Sequence, residues 1–163
     1  MTTKLDIIPI AYDTREQQPW LLIKPDYADV EMVRKKLDCG DYCLVGAEDL
    51  MALEKKRSLD ELARCCAQDR ARFERELQRM CDAGYRWKWL ITQGGRYIDI
   101  CEGNYRSRLN PLSFTQTLTK WEDRYGLRLR FVDTDTEALK LVYSIMRYVQ
   151  RELRMERAER SGG

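Results

Sequence analysis

The sequence predicts a three-layer α/β/α sandwich built on a mixed central sheet. Short apolar segments with the spacing of strands alternate along the chain with longer amphipathic segments that have the spacing of helices. Strands that are interleaved with helices pack as a sheet covered by helices on both faces. The chain has 163 residues, which suits one domain with a core of its own. No internal repeat, low-complexity segment or long linker divides it.

Six short apolar segments are predicted to be strands, because turn residues bound them. They are residues 5–12, 30–37, 42–45, 50–56, 87–92 and 127–132. Pro9 cannot donate a hydrogen bond to a neighbouring strand, so the first strand is predicted to lie at a sheet edge or to contain a bulge. Gly40 is predicted to take a positive φ in the turn before the third strand.

Four longer segments are predicted to be helices from their apolar spacing and from the residues at their ends. They are residues 58–67 and 70–83, a segment from Asn110-Pro111 to Tyr125, and a long segment that begins at Thr134. Ser58 and Thr134 each stand three residues before a glutamate, which is the pattern of a capping box. Residues 96–108 are predicted to hold a short helix and a loop. The domain is predicted to span residues 1–155, with residues 156–163 as a polar, disordered tail.

The chain contains no histidine, and this absence excludes several classes of enzyme. A Ser-His-Asp or Cys-His nucleophile, an HExxH zinc site and a nuclease with a histidine base all need the imidazole. Acid, base or metal-binding chemistry must therefore use carboxylates, lysine, tyrosine or cysteine. The 29 Lys and Arg residues nearly balance the 27 Asp and Glu residues, so binding to nucleic acid would need local basic patches.

The cysteine pattern and the lack of targeting segments indicate a compartment. The six cysteines form no CxxC pair, and the sequence shows neither a signal peptide nor a long apolar run. We therefore expect a soluble intracellular protein without membrane contact, in the cytoplasm or at the nucleoid. In such a reducing compartment the cysteines are expected to be free thiols.

Acidic and lysine side chains are predicted to converge at the ends of neighbouring strands. Glu54 and Lys56 project from one face of their strand and Lys55 from the other, because side chains alternate along a strand. If this strand pairs with the one that begins after Asp41, two carboxylates and an ammonium group meet, with Asp13 at a further strand end. Mg²⁺ is typically bound by one or two carboxylates and substrate phosphate. The pattern favours a site for metal-dependent hydrolysis, and a solvated strand end is the alternative.

Lys56 has three possible roles in such a site. It could orient the attacking water, deprotonate that water or balance negative charge as it develops. A bound cation lowers the pKa of a coordinated water and stabilises charge at a phosphate, so no histidine base is required.

Three segments carry a resemblance to a known family. They are Tyr12-Asp13-Thr14-Arg15-Glu16, Gly40-Asp41-Tyr42 and Glu54-Lys55-Lys56-Arg57-Ser58-Leu59-Asp60. In this order they resemble the V-D-x-R-E, G-D-Y and E-R-K-x-x-x-D motifs of the XPF family of structure-specific endonucleases, a branch of the PD-(D/E)xK nuclease superfamily. Lys55 replaces the usual arginine. The resemblance covers about residues 5–150 and implies a restriction-endonuclease-like fold.

The resemblance also implies a function and roles for individual residues. The function is an endonuclease, dependent on Mg²⁺ or Mn²⁺, that hydrolyses phosphodiester bonds in DNA at branched or flap-like structures during repair or recombination. By the same resemblance the catalytic residues are Asp13, Asp41, Glu54 and Lys56, with the three acids as metal ligands. The supporting residues are Arg15, Glu16 and Asp60.

This sequence differs from the family pattern in two places. Members often have a glutamate near the end of the strand at residues 87–92, where this chain has Thr92 or Gln93. Many members carry a tandem helix-hairpin-helix module after the nuclease domain, and we expect this chain to be a stand-alone domain without it. DNA binding would then depend on a partner in a homodimer or heterodimer, or on the domain itself.

Candidate DNA contacts are basic residues close to the predicted site and a basic loop that carries an aromatic ring. They are Arg57, Arg72, Tyr105, Arg106 and Arg108. Two alternative functions are open. The chain could be a noncatalytic subunit with a nuclease fold that binds DNA or a partner, or a junction-resolving or restriction-like nuclease with the same chemistry.

Overall fold

The computed structural model describes residues 6–163, which form six strands and five helices. In chain order these are β1 (Ile8–Tyr12), β2 (Val30–Arg34), β3 (Tyr42–Leu44), β4 (Met51–Lys56), α1 (Leu59–Cys66), α2 (Arg70–Asp82), β5 (Trp87–Gln93), α3 (Tyr97–Glu102), α4 (Pro111–Tyr125), β6 (Leu127–Val132) and α5 (Asp135–Ser161). Every predicted strand and helix is present, with ends that differ by a few residues. The first strand was expected to begin at Leu5, which lies outside the described residues.

The strands form one mixed sheet in the order β2-β1-β3-β4-β5-β6. β3 is antiparallel to both of its neighbours, β1 and β4, whereas β2, β5 and β6 are parallel to the strands beside them. The carboxyl ends of β1 and β4 therefore lie at the same edge of the sheet as the amino end of β3. This edge collects the three segments that carry the sequence motifs.

Helices cover both faces of the sheet, which confirms the predicted α/β/α sandwich. On one face α5 buries an apolar stripe that includes Val142 and Met146. On the other face α1, α2 and α4 enclose a second core around Trp121, whose side chain is fully buried. Each core removes apolar surface from water, which is the main stabilising contribution to such a domain.

Pro9 lies in an interior strand, so the prediction of an edge or a bulge was wrong. β1 has β2 on one side and β3 on the other. However, β3 pairs with β1 only from Ile10 to Tyr12. The carbonyl of Pro9 accepts a hydrogen bond from the N–H of Val45 at 2.9 Å. Pro9 thus stands just beyond the β1–β3 ladder, and its carbonyl still bonds to the segment that follows β3.

The polar segment after residue 155 is helical, which differs from the expected disordered tail. α5 continues to Ser161 and is capped at Gly162. Residues 156–161 contain neither glycine nor proline, and most of their side chains have good helix propensity. Arg86 also forms an ion pair with Glu156. Within residues 6–163, none of the helices carries the long apolar segment that a membrane span requires.

The predicted capping residues are confirmed, with one difference in the bonding. Ser58 Oγ accepts a hydrogen bond from the N–H of Glu61 at 3.1 Å. The carboxylate of Glu61 accepts from the N–H of Arg57 at 2.8 Å and not from Ser58 itself. The box at Thr134 has the same arrangement. Each cap satisfies helix N–H groups that have no partner within the helix.

Glu74 on α2 joins that helix to α4. Its Oε1 accepts hydrogen bonds from Lys120 Nζ and Trp121 Nε1, both at 3.0 Å, and from Arg70 Nε at 3.1 Å. Burial alone would raise the pKa of Glu74, but the bonds from Lys120, Trp121 and Arg70 lower it from 4.5 to about 2. The ionised carboxylate therefore stabilises the contact between the two helices.

We expect Glu74→Gln to lower the free energy of unfolding by about 2 kcal/mol at neutral pH, because hydrogen bonds to a charged acceptor are stronger than those to an amide. Since folding lowers the pKa of Glu74, this stabilisation is present above about pH 4.5 and is lost as the pH falls to about 2. Urea unfolding of both proteins across that range should show the difference shrinking. Glu122→Gln, at an exposed position on α4, should change little. A deficit that stays constant with pH would contradict the prediction.

Candidate active site

The three motif segments meet at one edge of the sheet through backbone hydrogen bonds. Asp13 follows β1, Asp41 precedes β3, and Glu54 lies near the end of β4. The N–H of Asp13 donates to the carbonyl of Asp41 at 2.8 Å, and the N–H of Asp41 donates to the carbonyl of Leu53 at 2.8 Å. The sheet pairing anticipated from the sequence is therefore confirmed.

Gly40 allows the segment before β3 to approach β4 closely. Its φ is +73°, and a Cβ at this position would lie 3.1 Å from Ala52 Cβ and from the backbone of Leu53. A larger residue would be strained by the positive φ and would also crowd Ala52 and Leu53. The turn directs the next side chain, Asp41, so that its Oδ2 accepts a hydrogen bond from the N–H of Lys55 at 2.8 Å.

Glu54 and Lys56 share one face of β4, as the strand periodicity predicts. Lys56 Nζ lies 3.3 Å from Glu54 Oε1 and 5.8 Å from the centroid of the Phe73 ring. The two side chains are mostly covered, at 14% exposed for Lys56 and 23% for Glu54. They line a cavity of about 510 Å³ between the end of the sheet and the helices α1 and α2.

Lys55 points to the opposite face of β4 and has a different environment. Its ammonium group donates to the carbonyl of Gln18 and lies 4.6 Å from the centroid of the Trp20 ring. Glu16 Oε1 is 3.9 Å away. Lys55 therefore anchors the chain that follows β1 and does not face the cavity.

The cavity is walled by arginines and further acids. Beside Glu54 and Lys56, its lining residues are Arg15, Glu61, Arg64, Cys65, Asp69, Arg72, Phe73 and Glu76. The three guanidinium groups can bind phosphate oxygens. Each also pairs with an acid, Arg15 with Asp13 and both Arg64 and Arg72 with Asp69.

Asp41 and Glu54 both have a raised pKa. Burial raises the pKa of Glu54, and the neighbouring charge of Asp41 raises it further, while Lys56 lowers it. Burial also raises the pKa of Asp41, against the hydrogen bond from the N–H of Lys55. Burial alone would lower the pKa of Lys56, but the charge of Glu54 raises it above its usual range.

These two carboxylates fit a hard divalent cation. They are oxygen donors of the type that Mg²⁺ binds, and their number suits a site completed by substrate phosphate. A cation held by these carboxylates would favour the charged form of both, which burial disfavours. No group of three acidic or cysteine side chains within residues 6–163 is close enough to hold a metal by itself.

The carboxylate of Asp13 is bound by groups outside this pair. Its Oδ2 accepts from Arg15 Nε at 2.6 Å, and its Oδ1 accepts from the N–H of Leu37 at 2.9 Å. Burial alone would raise the pKa of Asp13, but the bonds from Arg15 and Leu37 hold it below its usual range. Each carboxylate oxygen of Asp13 thus accepts one hydrogen bond, and the guanidinium group of Arg15 would compete with a cation for Oδ2. Its assignment as a third ligand stays a prediction.

The predicted supporting residues lie in different places. Arg15 lines the cavity beside its partner Asp13. Glu16 is almost covered and accepts from Arg57 Nη2 at 3.0 Å, which links the chain after β1 to the end of β4. Asp60, in the first turn of α1, does not line the cavity and instead contacts a distant loop.

The predicted DNA contacts also divide into groups. Arg72 lines the cavity with its side chain 75% exposed and lies 3.4 Å from Asp69. Arg57 is outside the cavity lining and pairs with Glu16. Arg106 and Arg108 are exposed on the loop that follows α3.

Tyr105, on the same loop, is partly buried and stabilises the loop. Its ring packs edge-on against Phe114, with centroids 5.3 Å apart. Its hydroxyl donates to the carbonyl of Leu109 at 2.6 Å. The ring and the hydroxyl of Tyr105 therefore both make contacts within the protein.

Of Thr92 and Gln93, only Thr92 adjoins the site. Thr92 stands opposite Lys56 in the pairing of β4 with β5. It is fully buried, and its hydroxyl has no hydrogen-bond partner within residues 6–163. Gln93 instead accepts from Trp20 Nε1 at 3.1 Å and donates to Asp135 Oδ1 at 2.9 Å.

Sequence reasoning missed Glu76 as a cavity residue. It lies three residues after Phe73, on the same side of α2, and its charge contributes to the raised pKa of Glu54. The helical spacing from Phe73 is a signal that could have identified it, since residues three apart share a helix face. Its charge made it resemble the solvated side of an amphipathic helix.

A mixed sheet covered on both faces, with Asp41, Glu54 and Lys56 at one edge, is the architecture of a restriction-endonuclease-like nuclease domain. The chain belongs to the ERCC4 domain family, which matches residues 12–145.

Two solved structures are similar to this one. XPF from Aeropyrum pernix superposes with a TM-score of 0.64 at 20% sequence identity, covering 86% of this chain and 61% of that chain. XPF from Aeropyrum pernix in complex with DNA gives the same TM-score of 0.64 and identity of 20%, covering 89% and 66%. This chain thus spans less than two thirds of the chains it matches. A comparison with curated protein sequences found no match.

Proposed function

We propose that this domain is a metal-dependent endonuclease that hydrolyses phosphodiester bonds in DNA, with branched or flap-like DNA as its preferred substrate. The observation that carries the proposal is that Asp41, Glu54 and Lys56 converge at one edge of the sheet, where Glu54 and Lys56 line the cavity. Two carboxylates that can hold a cation, a lysine beside them and arginines around them supply the groups that phosphodiester hydrolysis requires without histidine.

Each residue has a defined role in this proposal. Asp41 and Glu54 hold Mg²⁺ or Mn²⁺, which when bound supplies an acidified water and stabilises negative charge at the phosphate. Lys56 is a cation beside Glu54, so it orients the attacking water or balances charge that develops on the phosphate. Arg15, Arg64 and Arg72 hold the DNA backbone through its phosphate oxygens.

DNA as the substrate class is supported by family membership and by the structure of Aeropyrum pernix XPF with DNA. A second subunit, identical or related, is part of the proposal. The helix α5 exposes Tyr148 and Met155, at 50% and 57%, and both line one concave surface on that helix, which suits a subunit interface.

The test is cleavage of labelled DNA by the purified protein. Duplex, single-stranded, flap, fork and four-way substrates are incubated with Mg²⁺, Mn²⁺ or EDTA. We expect cutting in Mg²⁺ or Mn²⁺, strongest on a branched substrate, and none in EDTA. Asp41→Ala and Lys56→Ala should both be inactive. Cleavage that persists in EDTA or in both variants would refute the mechanism, and binding without cutting would identify a noncatalytic subunit.

A further inference from the structure

A second groove lies beside the catalytic cavity and is unexplained by the cutting chemistry. It has a volume of about 570 Å³ and is lined by Asp60, Arg64, Gln68, Arg106, Ser107 and Arg108. One wall is α1 with Gln68 just beyond its end, and the other wall is the loop between α3 and α4. Three arginines face a space with a single acid.

The single acid, Asp60, accepts hydrogen bonds from the backbone of the loop. Asp60 Oδ1 accepts hydrogen bonds from the N–H of Arg106 at 2.8 Å and of Ser107 at 2.7 Å. These bonds join residues that are 46 and 47 positions apart in the chain. Asp60 therefore fixes the loop on α1 without pairing with a guanidinium group.

The two loop arginines keep their charge available. Both are exposed, and neither forms an ion pair with another residue of the described chain, 6–163. The loop around them is held by Ser107 Oγ, which accepts from the N–H of Leu109 at 3.2 Å, and by the bond of Tyr105 to the same residue. The loop therefore exposes two positively charged side chains on a backbone that these hydrogen bonds hold in place.

The groove adjoins the catalytic cavity. Arg64 lines both of them, with its side chain 71% exposed. A polyanionic chain whose scissile phosphate lies beside Glu54 would therefore reach the groove by passing Arg64. This adjacency favours nucleic-acid backbone over an unrelated acidic peptide.

We propose that the groove is a phosphate-binding subsite that holds the DNA backbone on one side of the cleaved bond. Arg64, Arg106 and Arg108 contact the phosphates, and Asp60 is a positioning residue that sets the loop. This proposal rests on the proposed nuclease function, because the DNA strand runs from the cavity to the groove only if the cavity holds the cleaved phosphate. Phosphate contacts of this kind fix the register of the substrate and carry no sequence preference.

The test is binding of a fluorescein-labelled flap DNA in EDTA, so that no cleavage is needed for the readout. We expect the Arg106→Ala/Arg108→Ala double variant to bind more weakly and to show a smaller dependence of affinity on salt. On duplex DNA, the slope of log K against log salt should fall by about 0.9 for each phosphate that the variant no longer neutralises. The matched control is Arg157→Ala/Arg160→Ala at the exposed end of α5, which should keep the slope.

The positioning role of Asp60 is tested by two single substitutions and by a double-mutant cycle with the loop arginines. Asp60→Ala removes the acceptor and should weaken binding, whereas Asp60→Asn retains an oxygen for the two N–H groups and should restore it. In the Arg106→Ala/Arg108→Ala background, Asp60→Ala should have no additional effect, because a positioning residue acts only through the side chains that it positions. Thermal unfolding of each variant reports whether the fold is kept.

Equal binding by Asp60→Ala and Asp60→Asn, or an arginine double variant that matches its control, would overturn the subsite. Failure of the proposed function has a different signature. In that case the wild-type protein cuts no substrate in Mg²⁺ or Mn²⁺, while the arginine variant still shows weaker binding and a smaller salt dependence.

Discussion

Replacement of Glu54 by glutamine will abolish DNA cleavage and leave the fold as stable as before or more stable. The amide keeps the shape of the side chain but removes a negative charge that is partly buried beside Asp41. Loss of a metal-binding carboxylate removes several kcal/mol of transition-state stabilisation, which corresponds to a fall of about 10³-fold or more in rate. In the metal-free protein, burial and the charge of Asp41 both oppose ionisation of Glu54 and together outweigh its ion pair with Lys56, so loss of the charge does not lower stability.

Two measurements separate this outcome from simple damage to the protein. In EDTA, thermal unfolding of Glu54→Gln should occur at the wild-type temperature or above it. Added Mg²⁺ should raise the unfolding temperature of the wild type, because a ligand that binds only the folded state stabilises it. The variant should show a much smaller rise. If Glu54→Gln cleaves at the wild-type rate, or if Mg²⁺ stabilises both proteins equally, Glu54 is not a metal ligand.

The adjacent lysines should give opposite results when each is changed to methionine. Lys56→Met removes the ammonium group that lies 3.3 Å from Glu54 in the cavity, and we expect cleavage to fall by about 10²- to 10³-fold. Lys55→Met removes a donor to Gln18 and a cation beside the Trp20 ring. It should cost about 1–2 kcal/mol of stability and leave the cleavage rate of the folded protein nearly unchanged.

The pair is a stringent control because the two substitutions are chemically identical and one residue apart. Cleavage in single-turnover conditions reports catalysis, and urea unfolding reports stability. A Lys55→Met protein that folds but does not cut, or a Lys56→Met protein that cuts normally, would show that the face of β4 does not decide the role of these residues.

Some parts of the site could be predicted because they depend on short stretches of chain. Alternation along β4 separates Lys55 from Glu54 and Lys56 whatever the rest of the fold does. Gly40 before Asp41 indicated the turn that the structure contains, with its φ of +73°. Caps at helix starts are equally local, since they join residues only three apart.

Other parts depended on contacts between distant segments. The hydrogen bond from the N–H of Leu37 to Asp13 joins residues that are 24 positions apart. The hydrogen bond from the N–H of Arg106 to Asp60 joins residues that are 46 positions apart. No spacing in the sequence encodes such pairs. Asp60 belongs to a motif segment, so it was expected to support the catalytic residues, whereas the structure places it at the neighbouring groove.

The sequence by itself determined the order of strands and helices, the face of β4 that carries Glu54 and Lys56, and the exclusion of histidine chemistry, because each follows from residue type and local spacing. Only the tertiary structure decided which of the acids share a site. The order of strands in the sheet places Asp41 beside β4, and the packing of α1 and α2 encloses Glu54 and adds Glu76. The physical reason is that burial and charge at a site arise from all the segments that surround it, and sequence spacing describes only one segment at a time.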